Sequence, residues 1–358
     1  MRYMLKKILS AVTLVLVAII IYAAREQVWE ALLYLQELNA WVLLLLIPQQ
    51  LAMYAAAGQM YFSFLRAKMG VKLGAWKATR VSLEINFVNH VVPSGGVAGV
   101  GYLAWRLKEY NISAGQATFV HVLRYAIAAL VNVGQMLIAI AIMALTWASL
   151  ENELTQQWVL WFSLLACTGI VAVIVGAFWL IMNKKRIDWF SRITAKTLNG
   201  FVRKITRGKR RKILDEAKID KYFTDLHDDW KMVRRNKKLL RGPLVWAIVY
   251  NAFEAMTYFI VACAFGHPEI LPQLLLAEGL AGFVGAVVPT PGGVGGYEGA
   301  MIGIMIATGV DFHVATVVVV VTRVTVLIMT IVSGWGFYQA ALMGRKDKFK
   351  PEAAAAEK

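Results

Sequence analysis

Cysteine and histidine are scarce in this 358-residue chain, which has two of the first and five of the second. Cys167 and Cys263 both lie in apolar runs, where a thiol serves as a small buried hydrophobe, so neither a disulfide framework nor a thiolate metal site is expected. The histidines show no ligand spacing, and HExxH, GxSxG and paired CxxC motifs are all missing. With no nucleophile, metal or acid–base constellation in view, the chain is not expected to be an enzyme, and no cofactor is expected. It does have glycine-rich segments, but no strand or βαβ pattern accompanies them, so they are not dinucleotide fingerprints; an ATP-binding motif is lacking too. Charged residues make up only 17% of the chain against 59% hydrophobic, and the mean hydropathy is +0.57. That balance excludes an ordinary soluble domain and fits a polytopic membrane protein.

Long apolar runs recur at 8–24, 40–62, 117–145, 158–182, 243–265 and 314–340. Each is close to the roughly 17–25 residues that carry a helix across about 30 Å of hydrocarbon. The first run follows Arg2, Lys6 and Lys7 as a signal peptide would, but no small-x-small cleavage site follows, so it reads as a retained anchor. A net charge of +16 would suit a nucleic-acid partner if it were spread evenly, and it is not. Of 38 Lys and Arg, three precede residue 8, five lie in 66–80, two at 106–108, twenty in 183–241 and five after 344. Arg25, Arg124 and Arg323 are the remainder. The intervening loops carry Glu26, Glu30 and Glu37, then Glu151 and Glu153, then Glu269 and Asp311. Alternation of this kind is the positive-inside pattern, and it predicts an inner-membrane protein with both termini cytoplasmic and no nucleic-acid partner.

Two stretches interrupt the apolar pattern: "VVPSGGVAGVGYLAW" at 91–105 and "VVPTPGGVGGYEGAMIG" at 287–303. Proline and glycine at membrane depth are tolerated only where protein or a water-filled cavity surrounds the backbone. If 81–105 crossed the membrane, Arg106 and Lys108 would fall outside and Glu151 and Glu153 inside, against the charge rule. A segment that dips in and returns repairs every sign. We therefore expect a re-entrant hairpin over 81–105 with its tip at Pro93, Ser94, Gly95 and Gly96. A second over 273–308 enters from the opposite side, with its tip at Pro289, Thr290, Pro291, Gly292 and Gly293. The predicted fold is an all-α integral membrane protein with six transmembrane helices and two re-entrant hairpins in an inverted repeat, the two units being 40–145 and 243–340. The chain then divides into an anchor and external loop (1–39), a first span–hairpin–span repeat with a linking span (40–182), a basic cytoplasmic segment (183–241), the inverted second repeat (242–345) and a polar tail (346–358).

Arg124 and Arg323 follow Gly96 and Gly293 by similar distances, and an arginine in hydrocarbon costs roughly 2.5–3.5 kcal/mol or more. Such groups line a pathway or pair with one another; Glu84, Glu254, Glu278 and Glu298 are the candidate partners. Helix starts after Gly-rich turns present free N–H groups that suit a phosphate or carboxylate, although Gly295, Gly299 and Gly303 also form a close-packing ladder. Asn89 lies near the first tip with Asn86 and His90, and for these a buried polar network and ligand contact remain equal readings. In 183–241, Ile187, Phe190, Leu198, Phe201 and Ile205 suggest one amphipathic helix, and Ile219, Phe223, Leu226, Trp230 and Val233 a second. Each could lie on anionic lipid or dock on the protein.

The strings "NHVVPSGGVAGVGYLAWRL" and "VVPTPGGVGGYEGAMIG", with the two later arginines, resemble the membrane domain of lysylphosphatidylglycerol synthase/flippase proteins. The bifunctional members carry a soluble aminoacyl-transfer domain after it. Here the chain ends soon after the last span, so lipid aminoacylation is not expected. The resemblance implies movement of an anionic phospholipid, or a related polyprenyl lipid or glycolipid, between leaflets, with Glu84, Arg124, Glu298 and Arg323 facing the substrate. The first tip lacks the second proline of the other, so the halves need not contribute equally. A secondary transporter of a small soluble anion, and a non-transporting partner that tethers a separate lipid-modifying enzyme through 183–241, are the alternatives; a homo-oligomer fits any of the three.

Overall fold

A chain this apolar must satisfy its backbone hydrogen bonds internally, and helices do so within a single segment. The structure, a computed structural model, describes residues 13–19, 21–22, 24–71, 73–92, 96–147, 154–189, 192–193, 197, 216–288, 290 and 293–343, and no strand occurs among them. The elements are α1 (Arg25–Tyr34), α2 (Leu46–Met69), α3 (Ala75–Val91), α4 (Val97–Leu107), α5 (Ala114–Trp147), α6 (Leu154–Met182), α7 (Glu216–Arg235), α8 (Arg241–Phe265), α9 (Leu271–Val287), α10 (Gly296–Ala307) and α11 (Phe312–Met343). Among the described residues five helices are long and apolar enough to cross a membrane: Ala40–Met69, Ala114–Thr146, Trp158–Met182, Lys237–Phe265 and Phe312–Met343. The expected first span, 8–24, falls partly outside the described residues; within it 13–19 are helical and Val17 joins the main core.

The series α2–α5 and α8–α11 match in length, with 24, 17, 11 and 34 residues in one and 25, 17, 12 and 32 in the other. Their packing matches too. The first members, α2 and α8, lie against each other and run antiparallel: the Gln49 amide donates to Thr257 Oγ1 (2.8 Å) near one end, and Ser63 meets Gly242 near the other. The second member of each series packs on the fourth member of the other. Leu83 and Phe87 of α3 meet Gly334 of α11, while Gly279 of α9 meets Asn132 and Met136 of α5.

In both series the second and third helices fold back on one another. In the first, Gly99 N–H donates to Asn89 Oδ1 (2.9 Å), and further from the break the Tyr102 hydroxyl donates to Glu84 Oε2 (3.0 Å). In the second, Gly285 meets Tyr297 and Val288 meets Gly296. Gly293 needs glycine twice over: its φ is +71°, and a Cβ there would lie 2.9 Å from the Gly285 backbone.

The two hairpins open onto opposite ends of the bundle. One end is tied by Asn39 N–H to Ala264 O (2.9 Å) and by His313 to Glu37 (2.8 Å); there α8 ends, α9 begins, α10 ends and α11 begins. The other end is tied by Lys68 to Asp229, the Ser113 hydroxyl to Asp225 (2.6 Å), and His227 to Ile181 O (2.8 Å). There α2 ends, α3 begins, α4 ends and α5 begins. The second expected amphipathic helix is α7. It docks on the protein, with Leu226 and Val233 buried and Trp230 against Phe178 (5.1 Å). The first expected one falls mostly outside the described residues, although Ile187 is buried in the core.

Candidate functional site

The described tip residues, Gly96 of the first hairpin and Thr290 and Gly293 of the second, line a single cavity of about 570 Å³ between α5 and α6. Its other walls are largely aliphatic and aromatic, with Val97, Ala126, Val173, Phe178 and Phe283. Pro93, Gly95, Pro289, Pro291 and Gly292, predicted to shape these tips, lie outside the described residues, as does Ser94.

Arg124 projects from α5 and is only 9% exposed. The rings of Tyr61, Tyr125 and Tyr250 stand 5.1, 4.7 and 5.1 Å from its guanidinium carbon. Aromatic faces attract a cation without neutralising it. Its Nε is buried without a hydrogen-bond partner, and Arg124 forms no ion pair among the described residues. Two polar cavities meet at this side chain. One, of about 60 Å³, is lined by Tyr54, Asn86 and Asn89; the other, of about 170 Å³, by Asn132, Asn251, Glu254 and Glu278. Tyr125 borders both and the apolar cavity as well. The site thus joins an apolar cleft to a buried arginine that has no ion-pair partner among the described residues, with Glu254 and Glu278 lining the same 170 Å³ cavity.

The three other charged residues expected at the site are held in place by one another or by nearby arginines. Arg323 Nε donates to Glu298 Oε1 (2.6 Å), and its guanidinium lies over Tyr297 at 4.5 Å. Glu298 Oε2 accepts Gly295 N–H (2.7 Å), so the same carboxylate caps the start of α10. Glu84 was a candidate partner for Arg124, but its partners are elsewhere. Fully buried, it accepts from Arg80 Nε (3.1 Å), Arg106 Nε (2.8 Å) and the Tyr102 hydroxyl. The cause is local: Arg80 lies one turn earlier on α3, and the fold-back of α4 brings Arg106 opposite. Asn89 caps Gly99 and also borders the cavities, while Asn86 donates to the Tyr54 hydroxyl (2.8 Å) and Thr330 Oγ1 (3.1 Å). His90 closes on Asn86 O (2.9 Å).

The tyrosines around Arg124 were missed in the sequence. Tyr125, adjacent to a membrane-depth arginine, was the available signal; Tyr61 and Tyr250 come from other helices and left none.

Fold and site together define a polytopic helical membrane protein with an apolar cleft against its hairpin tips. The chain matches the family described as Lysylphosphatidylglycerol synthase TM region over residues 8–334, and it belongs to that family. No curated protein and no solved structure matches it.

Proposed function

We propose that this protein moves a lipid with an anionic head group, a phospholipid or a related polyprenyl lipid or glycolipid, between the leaflets of an inner membrane. The head group binds Arg124, and the tail occupies the 570 Å³ chamber between the hairpin tips, α5 and α6. The observation that carries this reading is the placement of Arg124: a buried guanidinium with no carboxylate partner, at the junction of polar and apolar cavities. A buried guanidinium without a direct hydrogen-bonded carboxylate leaves charge-assisted bonds unmade, and an anion entering the site would supply them. The breadth of the apolar chamber favours a lipid over a small soluble anion. The opposed ends at which the hairpins open support reading them as re-entrant and inverted, with the Lys68–Asp229 end and both termini cytoplasmic. Transporters of this architecture hold their substrate where discontinuous helices meet.

The test is translocation of a fluorescent anionic phospholipid in reconstituted vesicles, read beside thermal stability. Arg124→Ala should fold and lose translocation, and Arg124→Lys should recover part of it, because lysine lacks the bidentate fork. Wild-type translocation by Arg124→Ala would overturn the reading.

A further inference from the structure

The 170 Å³ cavity beside Arg124 has chemistry that head-group binding does not use. We propose that Glu254 and Glu278, with Asn132 and Asn251, form a site for a single monovalent cation. Glu278 is 5% exposed and Glu254 lies on the facing helix; Gln135 Nε2 stands 3.4 Å from Glu278 Oε2, the Asn132 side chain lies beside Glu278, the Tyr250 hydroxyl donates to Glu254 Oε1 (3.0 Å), and the Arg124 charge acts on Glu254. Neither carboxylate forms an ion pair among the described residues. An independent sign comes from Asn132 on the same cavity wall. The residue is 9% exposed, and its Oδ1 is a buried acceptor with no donor. Two carboxylates and an orphaned carbonyl oxygen around one small cavity share a single positive charge on its wall, that of Arg124.

Charge counting sets the valence. With both carboxylates ionised, Arg124 offsets one negative charge and leaves one. Arg323 does not line this cavity, and its guanidinium is bonded to Glu298. One monovalent cation makes the cavity neutral, whereas a divalent ion would leave it positive. The donors are all oxygen, which suits a hard ion such as Na⁺ or a proton shared between the carboxylates. The other titratable side chains on the cavity wall are the phenols of Tyr125 and Tyr250, so among the described residues lining it Arg124 is the one cation that faces the pair.

The arrangement also links the two ligands. An anionic head group on Arg124 cancels the charge that partly balanced the carboxylates, so a bound anion raises cation affinity, and by reciprocity a bound cation raises anion affinity. This coupling rests on the proposed lipid function; the cation site itself does not.

The experiment is thermal unfolding of the purified full chain, with NaCl replaced by choline chloride at constant ionic strength, from pH 5.5 to 8. Wild type should gain stability either with Na⁺ at fixed pH or on acidification in choline alone, which tells the two ions apart. Glu278→Gln and Glu254→Gln should lose that response. Asn132→Ala, which leaves both carboxylates in place, should weaken it about tenfold in half-saturating concentration and serves where a glutamine variant does not fold. An anionic phospholipid should lower the half-saturating cation concentration on the order of tenfold. A midpoint indifferent to both Na⁺ and pH, or a response unchanged in all three variants, overturns the site whatever the translocation result. A cation response that persists while wild-type protein moves no lipid supports the site and counts against the lipid function alone.

Discussion

Arg323 and Arg124 occupy similar places and should fail in different ways. Removing the Arg323 side chain as Arg323→Met leaves Glu298 ionised beside α10 with its main counter-charge gone; both partners are largely buried, with 16% and 9% side-chain exposure. Breaking a buried pair from one side costs about 3–5 kcal/mol. The bond from Gly295 N–H survives, which places the loss near the lower end, about 3 kcal/mol. The double variant Arg323→Met/Glu298→Gln keeps an acceptor for that N–H and removes the stranded charge, so its stability should return to within about 1 kcal/mol of wild type. Arg124→Met breaks no ion pair among the described residues; it loses cation–π contacts worth roughly 0.5–2 kcal/mol and takes a positive charge from the cavity shared with Glu254 and Glu278, so its loss should stay below that of Arg323→Met, at about 2 kcal/mol or less. Denaturant unfolding in detergent, run beside translocation, measures all three. The reasoning fails if Arg323→Met is as stable as wild type, or if the double variant is worse than the single.

Three further outcomes follow from the same geometry. Single cysteines at Glu109 and Glu269, exposed at opposite ends of the bundle, should react with an impermeant thiol reagent from opposite sides of the membrane; reaction from one side would defeat the inverted arrangement. Gly293→Ala should disorder the second tip, through its positive φ and the Gly285 backbone 2.9 Å from the new Cβ; hydrogen exchange at 293–297 should accelerate while α2 and α8 stay protected. Asp229→Ala strands the nearly buried Lys68 ammonium and should release α7, so limited proteolysis should cut within 222–235 far faster than in wild type.

Long apolar runs with charges segregated between them identify spans almost directly, because hydrocarbon forbids the alternatives. The five long helices were legible for that reason, and so were the two breaks; the family was legible from the resemblance carried by the two broken strings. The pairing of charges was not. Glu84 is one of four carboxylates that the sequence offers to the two arginines, yet a carboxylate on α3 finds whichever cation the helix repeat and the fold-back bring within reach, and these are Arg80 and Arg106. The charge pattern places Arg106 at the membrane boundary, and its long side chain returns from there to the buried Glu84 carboxylate. The tyrosines around Arg124 come from α2, α5 and α8, so no local pattern announces them.

Comparison of the two halves explains why only one arginine is open. Arg124 is the eleventh residue of α5 and Arg323 the twelfth of α11, and each lies on the helix that packs against the short third member of its own series. The third residue of α10 is Glu298, which reaches Arg323; the third residue of α4 is Gly99, which has no side chain to reach Arg124. The helix-capping bond that Glu298 makes in the second half is replaced in the first by Asn89, a neutral side chain from α3 that bonds Gly99 N–H. A carboxylate at 99 would also collide with Asn89, since a Cβ there would come within 2.3 Å of its Oδ1. The neutral cap therefore satisfies the backbone of the first half without giving Arg124 an ion-pair partner, whereas Glu298 ties Arg323 to its hairpin; the ligand-binding role proposed for Arg124 rests on that difference between two nearly equivalent scaffolds.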